Sequence, residues 1–246
     1  MGSGSDYSSF IQHIGIPSLN IGFGGEDEGG EYHSIFDSFD HYARFKDPDF
    51  VYGVALAQTA GRAALRLADS DVLPFDFTSL HHTIKGYVGE LQDLLEQQRE
   101  KAKAQNELIA TKSYLLAADP KEKSEVPKLE KTVPYLDFSP LLNSLTSLEE
   151  AAKFVEGKKL SLQGPALHAL NIKLFQAEQQ LLNAKGLPRR PWYKHTLYAP
   201  GFYTGYGVKT VPGVREAIEQ KQFDEAQEQI HQVTQSIKQL SNYLIN

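Results

Sequence analysis

The stretch FDEAQEQIHQVTQSIKQLSNYL, residues 223–244, decides the fold of the larger part of this chain. Its apolar side chains recur in steps of three and four residues, which places them on one face of an α-helix. These residues are Phe223, Ala226, Ile230, Val233, Ile237, Leu240 and Leu244. Because a continuous apolar face must be covered, the stretch predicts a helical bundle. The covering surface is either the rest of the same chain or, for a share of the face, a second copy.

Similar spacing upstream predicts more helices. Leu80 to Leu95 form one apolar series, residues 139–157 a second, and residues 165–184 a third. Residues 50–68 are dense in Ala, Val and Leu and predict a helix packed closely against a neighbour. The stretch HIGIPSLNIGF, residues 13–23, predicts a short buried strand. The predicted fold class is therefore α+β and predominantly α.

Composition excludes several classes of protein. The chain has 246 residues, a net charge of -6 and a pI near 5.8, which argues against a nucleic-acid partner. The adjacent Arg189 and Arg190 predict solvated surface rather than a basic binding face. The chain has no cysteine, so disulfides, cysteine zinc fingers and a thiol nucleophile are excluded. It has no run of 18 apolar residues and so no membrane segment, and the N-terminus does not resemble a signal peptide. These features leave the cellular compartment open.

A glycine-rich acidic stretch, GGEDEGGEYHS at residues 24–34, leads into a tyrosine and a histidine. His33 has the chemistry of a zinc ligand, and Tyr32 can donate its phenol to a developing oxyanion. Residue types alone also allow Tyr32 to be a packed aromatic. The stretch contains four carboxylates, which could bind a hard cation or form a solvated acidic loop. They are Glu26, Asp27, Glu28 and Glu31.

A second candidate region is LPRRPWYKHTLYAPGFYTGYGVKTVPGV, residues 187–214. It holds the single tryptophan and four of the twelve tyrosines, and it is too rich in Pro, Gly and aromatics for a simple turn. Long ordered loops of this kind are often functional. The alternative is an Ω-loop that packs over the bundle.

The order of several segments resembles the glutamate carboxypeptidase II and transferrin receptor family of zinc peptidases. The segments are GSGSDYSSFIQHIGIPSLNIGF, YHSIFDSFDHYARFKDPDF, LADSDVLPFDF, GLPRRPWYKHTLYAPG and GYGVKTVPGVREAI. The resemblance covers nearly the whole chain and is weakest over residues 101–160. It implies that residues 1–76 are the C-terminal portion of a zinc-peptidase α/β domain. Residues 77–246 would then be the helical dimerisation domain.

The resemblance also implies roles for individual residues. His33 corresponds to the last zinc ligand, and Tyr32 to the tyrosine beside the scissile carbonyl. Gly4 and Ser5 correspond to the loop that lines the substrate pocket, which makes residues 2–6 native sequence rather than a tag. Tyr206 corresponds to the tyrosine that contacts the C-terminal carboxylate of the substrate.

Three positions depart from the members of the family that select acidic substrates. Asn20 and Gly22 stand where those members have arginines, and Gly205 stands where they have a lysine. Positive charge is therefore absent where an acidic side chain would bind. Small or apolar C-terminal residues of the substrate are as well matched as acidic ones.

The family's other zinc ligands and its general-base glutamate precede the Gly-Ser-Gly loop, where this chain begins. A catalytic zinc takes about three protein ligands, and this chain offers at most one of them. The leading hypothesis is thus the C-terminal part of a two-zinc exopeptidase, incomplete by itself. It would form a homodimer through the helical domain and bind peptide once completed.

The alternative is a non-catalytic dimerisation or partner-binding module of the same fold, and a fragment without independent function is a third possibility. Residues 1–76 are too few for a sheet-based core, so we expect them to be held against the bundle or to associate.

Overall fold

The computed structural model describes residues 4–25, 30–117, 121 and 127–246. They divide into two compact units: the residues up to Pro17 together with Phe75–Asn246, and Ser18–Pro74. The described residues are mainly helical and contain one sheet, which has two strands. The fold is therefore α+β and predominantly α, as predicted. The functional domain boundary between residues 76 and 77 stays a prediction.

The elements follow in chain order. The helices are α1 (Phe39–His41), α2 (Val51–Ala68), α3 (Phe77–Ala110), α4 (Ser139–Ser161), α5 (Gly164–Gln176), α6 (Pro212–Glu219) and α7 (Phe223–Ile245), and the antiparallel strands are β1 (Tyr198–Pro200) and β2 (Val208–Thr210). Short π-helical turns lie at Ser8–Ile14 and Tyr42–Lys46, and 3-10 turns at Ser113–Ala117 and Ala177–Leu181. Across the described ranges, no helix is long and apolar enough to cross a bilayer.

The apolar face of α7 forms the centre of the first unit. Six of its seven predicted residues are buried, and Phe223 is partly buried against the same core. The face packs mainly on α4, whose Leu141, Leu148 and Val155 are fully buried in that core. The periodicity therefore predicted both the helix and the need for a partner correctly. The partner is the same chain.

Helix α3 begins at a well-formed cap. Oδ1 of Asp76 accepts hydrogen bonds from the amides of Thr78 and Ser79, at 2.9 and 3.0 Å, and its Oδ2 accepts one from the Ser79 hydroxyl at 2.6 Å. The two amides are groups that the first turn of a helix otherwise leaves unpaired. These hydrogen bonds hold the pKa of Asp76 below its usual value, and the one from the Ser79 hydroxyl has the largest effect.

Asp47 organises the second unit. Its carboxylate is buried and accepts hydrogen bonds from the amides of Gly53 and Tyr52, at 2.8 and 3.2 Å, and from the Tyr42 hydroxyl at 3.1 Å. Burial raises the pKa of Asp47, but these hydrogen bonds outweigh it and the net pKa is lowered. Asp47 thus fixes the first turn of α2.

Two expectations for the first 74 residues are wrong. Residues 13–23 do not form a strand: they begin in a π-helical turn and continue without regular structure, and Leu19 and Phe23 are 71% and 60% exposed. A strand needs a neighbour to pair with, and the described residues offer none here. Helix α2 forms where predicted, but the close packing expected of it is not observed, since none of its residues is buried.

Candidate functional site

The N-terminal segment docks on the loop that precedes β1. The amides of Lys194 and His195 both donate to the carbonyl of Gln12, at 2.9 and 3.1 Å. His13 stacks on Trp192, with ring centroids 4.8 Å apart, and its Nδ1 lies 2.7 Å from the Trp192 carbonyl oxygen. Gly15 ends the π-helical turn in the left-handed region, at φ 66°. The segment is therefore held by backbone pairing and by aromatic stacking.

This docking places the start of the chain beside the turn between β1 and β2. A methyl group built on Gly4 would lie 3.6 Å from Cγ of Tyr206, an ordinary van der Waals contact. Ser5 follows, and its carbonyl accepts hydrogen bonds from the Ser8 amide and hydroxyl, at 3.2 and 3.0 Å. The structure thus brings Gly4, the neighbour of Ser5 in the chain, close to Tyr206, which is 60% exposed. Gly2 and Ser3 of the same predicted loop lie outside the described residues.

The strands β1 and β2 present Tyr206 on a turn of residues 201–207. The amide of Gly201 donates to the Gly207 carbonyl at 2.9 Å, which closes the turn. Tyr203 projects from the same turn and is 80% exposed. Residues 187–200 below it are largely packed, with Leu197 and Ala199 fully buried. The base of the loop packs over the bundle, as the Ω-loop alternative predicted, and its tip is exposed. A functional role for the loop stays a prediction.

An ion pair that the sequence did not suggest lies under this turn. Nη2 of Arg190 donates to Oε2 of Glu216 at 2.6 Å, and Nη1 donates to the Pro200 carbonyl. The other carboxylate oxygen, Oε1, accepts the amide of Phe202 at 2.7 Å. The side chains of Arg190 and Glu216 are only 12% and 8% exposed. The prediction of solvated surface is therefore wrong for Arg190. That prediction was based on composition, which does not reveal the carboxylate of Glu216, 26 positions away.

The other arginine of the doublet is paired as well. Arg189 makes a bidentate contact with Glu225, with nitrogen–oxygen distances of 2.7 and 2.8 Å. Its pKa is raised, chiefly by the hydrogen bond to this carboxylate. On β2, Lys209 pairs with Glu219 at 2.6 Å. Arg189, Arg190 and Lys209 are thus each engaged by a carboxylate of the protein.

His195 is a second buried polar group that the sequence did not single out. Its Nδ1 accepts the amides of Leu197 and Tyr198, at 3.1 and 3.2 Å, so this nitrogen carries no proton. The proton is on Nε2, which lies 2.8 Å from Oε1 of Glu178 and donates to it. His195 thereby joins the 3-10 turn Ala177–Leu181 to the start of β1. Burial, and then the hydrogen bond with Tyr87, raises the pKa of Tyr198 above its ordinary value.

Tyr32 and His33 belong to the second unit and sit on an exposed turn. Their rings stack with centroids 3.8 Å apart, and Tyr32 is 65% exposed. His33 has a left-handed backbone, at φ 59°, and its amide donates to Oδ2 of Asp37 at 3.3 Å. The imidazole of His33 is exposed on this turn. A left-handed conformation is unusual for a histidine and marks a backbone shaped by its surroundings.

The residues around His33 do not make a zinc site by themselves. In the described parts of the chain, no group of three His, Cys, Asp or Glu side chains is placed to hold a metal ion. Glu31 is paired with Lys46, and the hydrogen bond between them lowers its pKa. Glu26, Asp27 and Glu28 lie outside the described residues. A zinc bound at His33 would therefore need ligands from elsewhere.

Comparison with known proteins identifies a matching domain and several relatives of this chain. Residues 136–245 match the transferrin receptor-like dimerisation domain. The chain is 34% identical to the probable glutamate carboxypeptidase LAMP1 of Arabidopsis thaliana, over 98% of this chain and 31% of that protein. Over nearly its whole length the chain is therefore similar to proteins of the glutamate carboxypeptidase and transferrin receptor family. The resemblance seen in its sequence is thereby confirmed.

Other members of the family are matched over similar lengths. A probable glutamate carboxypeptidase of Arthroderma benhamiae is 32% identical over 96% of this chain and 29% of its own length. Aminopeptidase NAALADL1 of Mus musculus is 27% identical over 90% of this chain and 27% of its own length. The chain thus spans about a third of the length of these carboxypeptidase-family relatives.

Proposed function

We propose that this chain forms part of the active site and the dimerisation domain of a two-zinc metallo-exopeptidase. The observation that carries the proposal is the proximity of Gly4 to Tyr206, since a Cβ built on Gly4 would lie 3.6 Å from Cγ of Tyr206. The family resemblance assigns these two residues, 202 positions apart, to one substrate pocket, and they lie side by side. The relation to carboxypeptidases and an aminopeptidase over nearly the whole chain supports the same reading.

In this proposal the first unit supplies a wall for the C-terminal end of a peptide. The exposed hydroxyl of Tyr206 donates a hydrogen bond to the terminal carboxylate, and the small Gly4 and Ser5 leave room for the chain of the substrate. Gly205 removes a positive charge next to Tyr206, and Lys209 is already neutralised by Glu219. The wall therefore accepts peptides that end in a small or apolar residue as well as those that end in glutamate.

The second unit supplies Tyr32 and His33. Tyr32 is proposed to donate its phenol to the oxyanion that forms at the scissile carbonyl. His33 is proposed as one ligand of a zinc ion, whose bound water would be the nucleophile in peptide hydrolysis. Since the described residues do not complete such a site, the remaining ligands and the general base must come from outside them.

Helices α4 to α7 are proposed to form a homodimer. The match to a dimerisation domain over residues 136–245 supports this, as do several large apolar side chains that α4 and α5 leave exposed. They are Phe154, Leu160, Ile172 and Phe175. The same match favours the second candidate function, a dimerisation or partner-binding module without catalysis. Light scattering that shows a monomer at high micromolar concentration would contradict dimerisation in both cases.

Catalysis distinguishes the two candidates. In a chimaera, this chain replaces the matching third of the Arabidopsis relative and is assayed with zinc and short peptides. We expect the chimaera to hydrolyse peptides and His33→Ala to abolish hydrolysis. The matched control is His41→Ala, which removes the half-buried second histidine of the same unit and should keep activity. An active His33→Ala chimaera would refute the role of His33, and an inactive parent chimaera would favour the non-catalytic module.

A further inference from the structure

The buried pair Arg190 and Glu216 holds the backbone at the point where β1 becomes the turn. Arg190 binds the carbonyl of Pro200, and Glu216 binds the amide of Phe202. These two groups flank Gly201, whose own amide closes the turn through the Gly207 carbonyl at 2.9 Å. Three consecutive residues are therefore fixed, two of them by side chains from outside the turn.

Aromatic rings complete the enclosure of the guanidinium. Cζ of Arg190 lies 5.5 Å from the ring centroid of Phe202 and 5.6 Å from that of Tyr193. Phe202 is itself in the turn, and its ring meets Tyr203 edge to face, with centroids 4.8 Å apart. Arg190 thus contacts the turn through both its backbone and an aromatic side chain.

Stability alone is a weak reason for such a pair. Withdrawing two charges from water costs about as much as their attraction returns, so a buried ion pair contributes little net stability over an apolar pair. An arginine–carboxylate pair instead contributes geometric specificity, because the planar guanidinium and the carboxylate fix the orientation of the groups that they bind. The position of the turn is the feature that this pair controls.

We propose that Arg190 and Glu216 are positioning residues that set the turn of residues 201–207 and so hold Tyr206 beside Gly4. The role of the pair in substrate binding rests on the proposed function of Tyr206. The role of the pair in shaping the turn is independent of that proposed function. Neither residue touches substrate in this proposal, since both are buried below the turn.

Amide exchange in the 246-residue chain tests the shaping of the turn. In Glu216→Gln, the neutral amide must turn its NH₂ towards either Arg190 or the Phe202 amide, so one of the two contacts is lost. We expect peptides covering residues 201–207 to exchange about tenfold faster, with α4 and α7 unchanged. The matched control is Glu219→Gln, which removes an ion pair from the same helix without contacting the backbone of the turn.

Arg190→Lys provides a second variant that keeps the charge. A lysine cannot bind Pro200 and Glu216 in one plane or stack between two rings, so it should also speed exchange in the turn. Unchanged exchange in both variants would overturn the proposal. Loss of protection throughout the first unit in both variants would also overturn it, because the pair would then support the whole fold.

Kinetics of the chimaera test the link to Tyr206. We expect Glu216→Gln to raise KM about tenfold for peptides with a free C-terminus and to change kcat less than about twofold. In a chimaera that already carries Tyr206→Phe, adding Glu216→Gln should raise KM little further, because both substitutions remove the same contact with the substrate. Additive losses would overturn the link. If the parent chimaera is inactive, the proposed function fails, while the exchange measurements still decide the shaping of the turn.

Discussion

Replacing Gly15 with alanine would test how the N-terminal segment reaches the candidate site. Gly15 has φ +66°, and a Cβ on it would lie 2.9 Å from Cα of Gln179 and 3.1 Å from Cδ1 of Leu182. A left-handed conformation costs an alanine about 1–2 kcal/mol. Crowding a packed contact costs about 1–3 kcal/mol more. We therefore expect Gly15→Ala to weaken the docking of the segment by about 2–5 kcal/mol.

The assay is hydrogen exchange of the amides of Lys194 and His195, which donate to the Gln12 carbonyl only while the segment is docked. A loss of about 2 kcal/mol or more corresponds to exchange at least about 30-fold faster at these two amides. Amides of α7 should keep their protection. Gly22→Ala is the control, because a Cβ on Gly22 meets nothing within 4 Å. Equal exchange at the two amides in Gly15→Ala and the parent chain would refute this account of the docking.

Three further predictions concern stability. Ile237→Ala removes a fully buried side chain of α7 and should lower the free energy of unfolding in urea by about 2–5 kcal/mol. The control Lys238→Ala removes an exposed side chain and should change this free energy by less than about 0.5 kcal/mol. Similar values for the two variants would contradict the assigned core. Asp76→Ala removes the α3 cap and should destabilise the chain by about 0.5–2 kcal/mol at pH 7. Since the pKa of Asp76 is lowered in the folded state, its contribution is fully present above its ordinary pKa of about 3.9 and is lost as the pH falls through the lowered pKa. Denaturation at neutral and acidic pH should therefore show the mutant effect shrinking below about pH 4, and a constant effect would count against the cap. In hydrogen-exchange measurements, amides of residues 18–74 should be less protected than those of α4 and α7, because α2 buries no residue. Equal protection in a clean monomer would show that this unit is stabilised by packing of its own or by the bundle.

Local patterns in the sequence were sufficient for most helices. The apolar series at residues 80–95, 139–157 and 223–244 each correspond to a helix in the structure, and so does the stretch rich in Ala, Val and Leu at residues 50–68. The predicted helix at residues 165–184 is α5 to Gln176 and then becomes the 3-10 turn Ala177–Leu181. The strand at residues 13–23 failed because an apolar alternation specifies a strand only when a neighbouring strand is available.

The candidate site could be predicted only as separate residues. The sequence resemblance named Gly4, Ser5 and Tyr206 together, but it could not give the contact between them or the docking of His13 on Trp192, 179 positions away. It also missed Arg190. A charged side chain near a turn is usually solvated, and nothing local reveals that Glu216 will be folded against it.

By itself, then, the sequence determined most of the helices, the need to cover the face of α7 and the family resemblance. Each of these follows from side chains within a few turns of one another or from ordered motifs along the chain. The tertiary structure decided which surface covers α7, which carboxylate pairs with Arg190 and which residues stand beside Tyr206. The physical reason is that burial, hydrogen bonding and ion pairing depend on distances in space, and these distances join residues far apart in the chain.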